Sequence, residues 1–130
     1  MGGDGHRPHV VTIGGMTTDF WRAVDYFVAT TPVVIDRPKG SPDPNDTQCI
    51  YPLDYGYLEG TSSADCGGLD VWVGVLDDRR VVGFLCTVDI FKLNMEIKLL
   101  LGCAPADIIV IRAFYSSMHM GHTLVMRPGQ

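Results

Sequence analysis

The sequence predicts a single domain of the α+β class, and three observations predict it. Short apolar runs alternate with turn residues through the middle of the chain, which is typical of strands joined by turns. One helical pattern precedes these runs and a second follows them. The chain has 130 residues, enough for one domain that buries about two-thirds of its unfolded surface. We expect residues 17–130 to form this domain, after a Gly-rich flexible leader over residues 1–16.

The two helices are predicted from apolar spacing and from the residues at their ends. The first has apolar residues at helical spacing in the run FWRAVDYFVA, with Thr18 or Asp19 as its N-cap. The second begins at Pro105, which suits the first turn of a helix, and runs to about Tyr115. Asp107 lies near its positive end, where a carboxylate is favourable.

The strands are predicted from apolar runs bounded by turn residues. They are expected at residues 33–35, 50–58, 69–76, 81–89 and 95–101, with a further one at 123–126. The segment SPDPNDTQ is interpreted as a long turn. Residues 77–80, Asp-Asp-Arg-Arg, are interpreted as a hairpin turn that joins the strand at 69–76 to the strand at 81–89.

Composition excludes several classes of protein. The net charge of -5 and the pI near 5.1 argue against a nucleic-acid-binding protein, which normally has a basic surface. No apolar run is long enough to span a membrane. The four cysteines have no C-x-x-C spacing, and no secretion signal is evident, so we expect reduced thiols and a cytoplasmic location.

The stretch from Ile50 to Val75 carries the strongest functional signal. It contains three tyrosines within seven residues, at positions 51, 55 and 57. Asp65 follows in a Gly/Ser loop, and Asp70 begins an apolar run in which a carboxylate needs a cation or hydrogen-bond donors. Carboxylates on a loop and at a strand end, with phenols beside them, are typical of a site for a hard cation and phosphate.

The same stretch resembles the signature of the soluble inorganic pyrophosphatases of family I. YPLDYGYLEGT followed by D-x4-D-V-W-V is similar to the family's YPxxYGY segment and its D-G-D-P-x-D-V loop. IDRPKG upstream, then Asp89 and Glu96-Ile97-Lys98 downstream, follow in the family's order. The resemblance covers about residues 32–127 and is closest to short, divergent pyrophosphatase-like members. It implies a small closed five-stranded OB-like β-barrel with flanking helices, and a homo-oligomer.

The resemblance also implies an activity, the Mg²⁺-dependent hydrolysis of inorganic pyrophosphate. Asp65, Asp70 and Asp89 match three metal-binding aspartates of the family. Mg²⁺ ions would neutralise the phosphoryl oxygens and acidify a water.

The remaining site residues are assigned from the same resemblance and from side-chain chemistry. Tyr55 matches a phenol that lies among the metal ions and the nucleophile, and Glu96 matches a further acidic residue in the family's D-x-K segment. The resemblance and this chemistry together predict a catalytic set of Tyr55, Arg37, Lys98 and Glu96. Guanidinium and ammonium groups bind phosphate oxygens. The expected substrate contacts are Arg37, Lys39, Tyr51 and Lys98.

Several of these residues have plainer alternatives. Asp65 could be an ordinary turn residue, and Lys39 an exposed lysine without a role. Glu96 and Lys98 lie on one strand face and could form a solvated ion pair on the outside of the protein. Tyr57 could be a core residue.

Three departures from the family favour a second hypothesis. Gly67 replaces the middle loop aspartate, Ser117-Met118 replace a Tyr-Lys pair that grips phosphate, and residues 41–48 are an insertion. His119 and His122 are interpreted as part of a polar tail. The alternative function is therefore a pyrophosphatase-like barrel that has lost this reaction. It would serve as a binding protein or as a repurposed enzyme on another small molecule.

Overall fold

A computed structural model of the chain describes residues 12–13, 16–17, 19–63 and 67–129. Most of the predicted leader, and Asp65, lie outside the described residues. The helices are α1 (Phe20–Thr30) and α2 (Pro105–Ser117). The strands in chain order are β1 (Thr12–Ile13), β2 (Met16–Thr17), β3 (Val33–Arg37), β4 (Pro42–Asp43), β5 (Asp46–Ile50), β6 (Asp54–Leu58), β7 (Leu69–Val73), β8 (Val81–Asp89), β9 (Asn94–Leu101) and β10 (Gly121–Met126).

Both predicted helices are confirmed, and their ends follow from local chemistry. Asp19 caps α1, because its Oδ1 accepts a hydrogen bond from the backbone N–H of Arg22 at 3.1 Å. The hydroxyl of Thr31 donates to the carbonyl of Phe27 at 2.7 Å, just before Pro32. In α2, the carboxylate of Asp107 accepts from the backbone N–H of Ala104 at 2.7 Å. Neither described helix has the length and apolar character needed to cross a membrane.

The main sheet has six strands in the order β10-β8-β9-β7-β6-β3. All neighbours are antiparallel except β7 and β9, which are parallel. The α+β class is therefore confirmed, but the sheet has six strands instead of the five expected. Among the described residues it is open, with β3 and β10 at its edges, so closure into a barrel is not confirmed.

The predicted hairpin between the strands at 69–76 and 81–89 is wrong. β9 lies between β7 and β8, and the long hairpin is the one formed by β8 and β9. The connection at 74–80 is held against the end of β9, because Leu76 N–H donates to Gly102 O at 3.0 Å and Gly102 N–H donates to Arg80 O at 2.8 Å. This crossover makes β7 parallel to β9 and sets Asp70 opposite Lys98.

The segment predicted as a long turn at 41–48 folds as a small hairpin of β4 and β5. Asp43 forms its turn, since Oδ1 accepts from the backbone N–H groups of Asn45 at 2.8 Å and Asp46 at 3.2 Å. The hairpin is attached to the main domain where Tyr51 N–H donates to Ser41 O at 2.9 Å and Gly40 N–H to Tyr51 O at 2.8 Å. Asp43 is consequently buried.

Two apolar clusters lie on opposite faces of the sheet, as the alternation of side chains along a strand requires. One face packs against α2, and its core is Tyr51, Leu53, Trp72, Val82, Leu85, Leu100, Cys103, Ile108, Ile111, Phe114 and Tyr115. The other packs against α1 through Val24, Leu58, Val71, Val73, Val81, Leu99 and Leu101. Tyr55, Asp70 and Lys98, three of the predicted site residues, lie on neighbouring strands of this sheet.

Candidate functional site

Strand register brings two of the predicted site residues, Asp70 and Lys98, to one face of the sheet. Asp70 shares a face with Trp72 two residues later, and Lys98 shares a face with Leu100. Trp72 and Leu100 belong to the cluster under α2. Asp70 and Lys98 therefore extend the α2 face beyond its apolar core, on neighbouring strands.

These residues line a cleft with a volume of about 590 Å³, which we call the polar cleft. That volume lies in the range typical of small-molecule sites, about 300–1,000 Å³. The predicted residues that line it are Arg37, Tyr51, Tyr55, Asp70, Asp89, Glu96 and Lys98. Lys39 does not line it; its backbone N–H donates to Asp54 Oδ1 at 2.9 Å and its side chain is exposed.

Lys98 lines the polar cleft and is almost fully buried, with 6% of its surface exposed. Its Nζ donates to Asp70 Oδ2 at 2.6 Å, to Tyr55 OH at 3.0 Å and to Glu96 Oε1. An ammonium has three donors, so all of them are used. Glu96 and Lys98 thus form a buried interaction in the cleft, and the alternative of a solvated pair on the outside is wrong.

The charge state of Lys98 follows from these contacts. Burial lowers the pKa of Lys98, but Tyr115 and the carboxylates of Asp70 and Glu96 outweigh it, so the pKa lies above its ordinary value. Burial, followed by the charge of Asp70, raises the pKa of Tyr55. The ammonium and the phenol both keep their protons at neutral pH.

An aromatic wall separates the polar cleft from the rest of the core. Tyr55 packs on Trp72 with ring centroids 4.8 Å apart, and Tyr51 packs on Phe114 at 4.8 Å. Trp72 Nε1–H donates to the hydroxyl of Tyr115 at 3.0 Å, so the buried indole N–H and this hydroxyl are hydrogen-bonded to each other. These rings fix the phenols of Tyr51 and Tyr55 at the cleft surface.

A second charged group lies at the side of the polar cleft. Arg37 Nη1 donates to the hydroxyl of Tyr51, which in turn donates to Asp43 Oδ2 at 3.0 Å. The same Asp43 oxygen lies 3.5 Å from Arg37 Nη1. Burial raises the pKa of Tyr51 to about 12, although Arg37 opposes the shift. Arg37 is therefore already paired with a carboxylate.

Asp43 is a functional candidate that the sequence did not reveal. The run from Asp43 to Asp46 shows turn residues, and a turn does form there. Nothing in the pattern indicated that the hairpin folds back onto Arg37, because that contact depends on tertiary packing. His119, which was interpreted as part of a polar tail, also lines the cleft, in a left-handed conformation with φ of 54°.

The predicted metal ligands are only partly brought together. Asp70 and Asp89 line the same cleft, whereas Asp65 lies outside the described residues. Asp89 Oδ1 accepts from the backbone N–H groups of Phe91 at 2.9 Å and Lys92 at 3.0 Å and so closes the β8–β9 turn. Within the part of the chain that the structure describes, no three His, Cys, Asp or Glu side chains are arranged to hold one metal ion.

The donor chemistry nevertheless fits Mg²⁺. This ion takes oxygen ligands, often only one or two protein carboxylates, and completes its shell with waters and substrate phosphates. Asp70 and Glu96 converge, since both contact the single Nζ of Lys98. The side chains are 23% and 19% exposed, so both carboxylates are accessible from the cleft.

The lining of the polar cleft is acidic overall. Its carboxylates are Asp36, Asp43, Asp46, Asp70, Asp89 and Glu96, and its cationic side chains are Arg37, Lys92 and Lys98. Among the described lining residues, carboxylates thus outnumber cations by six to three. An anionic ligand would enter this cleft most easily together with a divalent cation.

We expect the stability of the protein to fall as the pH rises above about 10. The folded state raises the pKa values of Tyr51, Tyr55 and Lys98. A raised pKa means that the stabilisation is complete below the unfolded-state pKa, about 10 for these groups, and is lost as the pH rises toward the folded-state value. Urea unfolding followed by tryptophan fluorescence at a series of pH values measures this.

The urea concentration at the midpoint of unfolding should decrease as the pH rises from about 10 to about 12. In Tyr51→Phe this decrease should be less steep. The phenylalanine variant keeps the aromatic packing on Phe114 but has no phenol to titrate. A midpoint that stays constant across this range would contradict the burial of these groups.

Comparison with known proteins leaves the family open. No protein-family model matches the chain, and no curated protein matches it significantly.

Proposed function

We propose that this protein is a hydrolase that uses Mg²⁺ to split inorganic pyrophosphate, a phosphoanhydride, into two phosphates. The observation that carries the proposal is the Lys98 cluster, in which Asp70, Glu96 and Tyr55 meet one ammonium in a cleft that also contains Arg37. A buried cation can neutralise phosphate charge and two carboxylates can hold a metal ion, which are the contributions that phosphoryl transfer draws on, and the protonated phenol can donate to a phosphate oxygen or a water.

The reaction breaks one bond between phosphorus and the bridging oxygen and forms one bond between phosphorus and a water oxygen. The two protons of the water pass to the two phosphate products. The protein must therefore hold the phosphates, stabilise the charge on their oxygens and place the water in line with the leaving group.

The carboxylates would hold the metal ion. Asp70 and Glu96 are the converging pair, and Asp89 lies on the same cleft with an Oδ2 that takes no part in closing the β8–β9 turn. When bound, Mg²⁺ neutralises phosphoryl charge and lowers the pKa of a bound water. Asp65 joins this set only through the sequence resemblance.

The cations and the phenol would hold substrate. Lys98 has all three donors satisfied within the protein, so phosphate binding exchanges one carboxylate contact for a phosphate oxygen. Arg37 supplies further N–H groups at the side of the cleft. Tyr55 keeps its proton and can donate to the attacking water or to a phosphate oxygen.

Membership of the soluble pyrophosphatase family, an OB-like closure of the sheet, a homo-oligomeric state and a cytoplasmic location belong to the same proposal. The family, the closure and the homo-oligomer are supported by the motifs in YPLDYGYLEGT, IDRPKG and EIK and by the order in which these motifs occur. The cytoplasmic location is supported by four cysteines without C-x-x-C spacing.

A second function is favoured by the pairing of the cations. Lys98 is bound to two carboxylates and Arg37 to Asp43, and the cleft lining is acidic. Such a cleft suits a small molecule that carries positive charge or a metal ion. The alternative is therefore a binding protein, or an enzyme on another small molecule, built on the same fold.

Phosphate release from pyrophosphate distinguishes the two functions. We expect release in the presence of Mg²⁺ and none when EDTA removes the metal. A protein that releases no phosphate at saturating Mg²⁺ would exclude the first function. If Gly67→Asp then hydrolysed pyrophosphate, the absence of activity in the unmodified protein would be explained by the missing loop carboxylate. That result would support the second function.

A further inference from the structure

The β4–β5 hairpin places the carboxylate of Asp43 beside Arg37, one of the residues predicted to bind phosphate. Asp43 lies at the turn of this hairpin, and its Oδ2 is 3.5 Å from Arg37 Nη1. The same oxygen accepts from the hydroxyl of Tyr51 at 3.0 Å. One carboxylate oxygen therefore occupies donors on Arg37 and Tyr51, the two residues predicted to contact substrate at this side of the polar cleft.

The position of Asp43 is fixed by the hairpin itself. Its other oxygen, Oδ1, accepts from the backbone N–H groups of Asn45 and Asp46, which form the turn. Only 7% of its surface is exposed. A carboxylate that accepts turn hydrogen bonds with one oxygen and contacts Arg37 with the other cannot move away without breaking those hydrogen bonds.

The pairing changes what the guanidinium can do for an anion. Carboxylate and phosphate oxygens bind the same N–H groups of arginine, so they compete for them. A neighbouring negative charge also opposes the approach of a second anion. Arg37 still has a third of its side chain exposed to the cleft, so an incoming phosphate can reach it.

We propose that Asp43 weakens the binding of free pyrophosphate in the polar cleft, because its carboxylate competes with phosphate for Arg37 and Tyr51. This inference deepens the proposed function, since it takes Arg37 as a phosphate contact.

The test is the Kd of pyrophosphate in EDTA, measured by calorimetry, so that neither metal nor hydrolysis contributes. Asp43→Asn removes the charge but keeps an oxygen that can accept from the turn N–H groups. We expect it to tighten binding by about 5- to 10-fold. Combining Asp43→Asn with Arg37→Gln should abolish the gain.

Asp46→Asn is the matched control. Asp46 belongs to the same hairpin and lines the same cleft, but it contacts Gln48 N–H at 3.2 Å and the thiol of Cys49 at 3.3 Å. Its replacement removes the same charge without touching Arg37, so Kd should change by less than about 2-fold.

Asp43→Ser gives a second variant, because a serine hydroxyl can also accept from turn N–H groups. Thermal unfolding identifies any variant that fails to fold. Unchanged or weaker binding in both folded variants would overturn the inference and make Asp43 a residue that orients Arg37 for phosphate. An absence of pyrophosphate binding in every variant would overturn it as well. The proposed function is tested separately, by measuring metal-dependent phosphate release by the unmodified protein.

Discussion

Replacing Asp70 with asparagine should lower the rate of Mg²⁺-dependent pyrophosphate hydrolysis by on the order of 100-fold or more. Asp70 is half-buried on β7, and its Oδ2 lies 2.6 Å from Lys98 Nζ. Of Asp70 and Asp89, the two metal ligands predicted from the sequence that the structure describes, Asp70 is the one that contacts the buried ammonium of Lys98. Asparagine has nearly the same shape but no charge, so the change removes an anionic ligand for the metal without opening a cavity.

The measurement is kcat against Mg²⁺ concentration, with urea unfolding to verify that the variant is folded. We expect the loss of rate to be accompanied by a higher Mg²⁺ requirement, since one charged oxygen ligand is gone. A rate within a few-fold of the unmodified protein would remove Asp70 from the site and the hydrolase proposal with it.

Asp54→Asn is the matched control for this variant. Asp54 begins β6, is also half-buried and accepts from the backbone N–H of Lys39 at 2.9 Å, but it does not line the polar cleft. Its replacement makes the same chemical change on a neighbouring strand. We expect the rate to stay within about 2-fold, because surface substitutions away from a site usually have small effects.

The elements that local sequence determines were predicted well. Asp19 and Pro105 mark the starts of the two helices, and both helices form where caps and apolar spacing indicated. Most strands were also located within a few residues, because apolar runs bounded by turns are a local property. Tyr55, Asp70 and Lys98 were expected in one site, and they share one cleft.

The features that depend on distant pairing were not predicted. Residues 77–80 have the composition of a hairpin turn, yet they belong to a crossover that is hydrogen-bonded to the backbone of Gly102. The choice between a hairpin and a crossover depends on where β9 inserts, and no local pattern indicates that. For the same reason the contact of Asp43 with Arg37 was invisible in the sequence, although its turn was not.

The sequence also could not predict that all three donors of Lys98 Nζ have acceptors within the protein. The pattern Glu-Ile-Lys places Glu96 and Lys98 on one face of a strand, and this is equally true of an exposed pair and of a buried one. The buried arrangement arises because the parallel register adds Asp70 and the antiparallel neighbour β6 adds Tyr55. Three strands therefore build the cluster.

Replacing Lys98 with methionine should lower the free energy of unfolding by about 3 kcal/mol. Methionine fills a similar volume, but it leaves the carboxylates of Asp70 and Glu96 close together without a counter-ion. Removal of one partner from a buried ion pair is costly because the remaining charge loses its compensation. The hydroxyl of Tyr55 also loses its donor. Urea unfolding at pH 7 measures the change.

Two further variants separate the loss of charge compensation from other causes. Lys92→Met removes an exposed lysine that lines the same cleft, and it should change the free energy of unfolding by no more than about 0.5 kcal/mol.

Adding Asp70→Asn and Glu96→Gln to Lys98→Met removes the uncompensated charges, so the triple variant should recover most of the lost stability. If the triple variant were no more stable than Lys98→Met, packing by the lysine stem would explain the loss. If Lys98→Met cost less than about 1 kcal/mol, the energy of removing these charges from water would nearly cancel their attraction, and the predicted loss would be wrong.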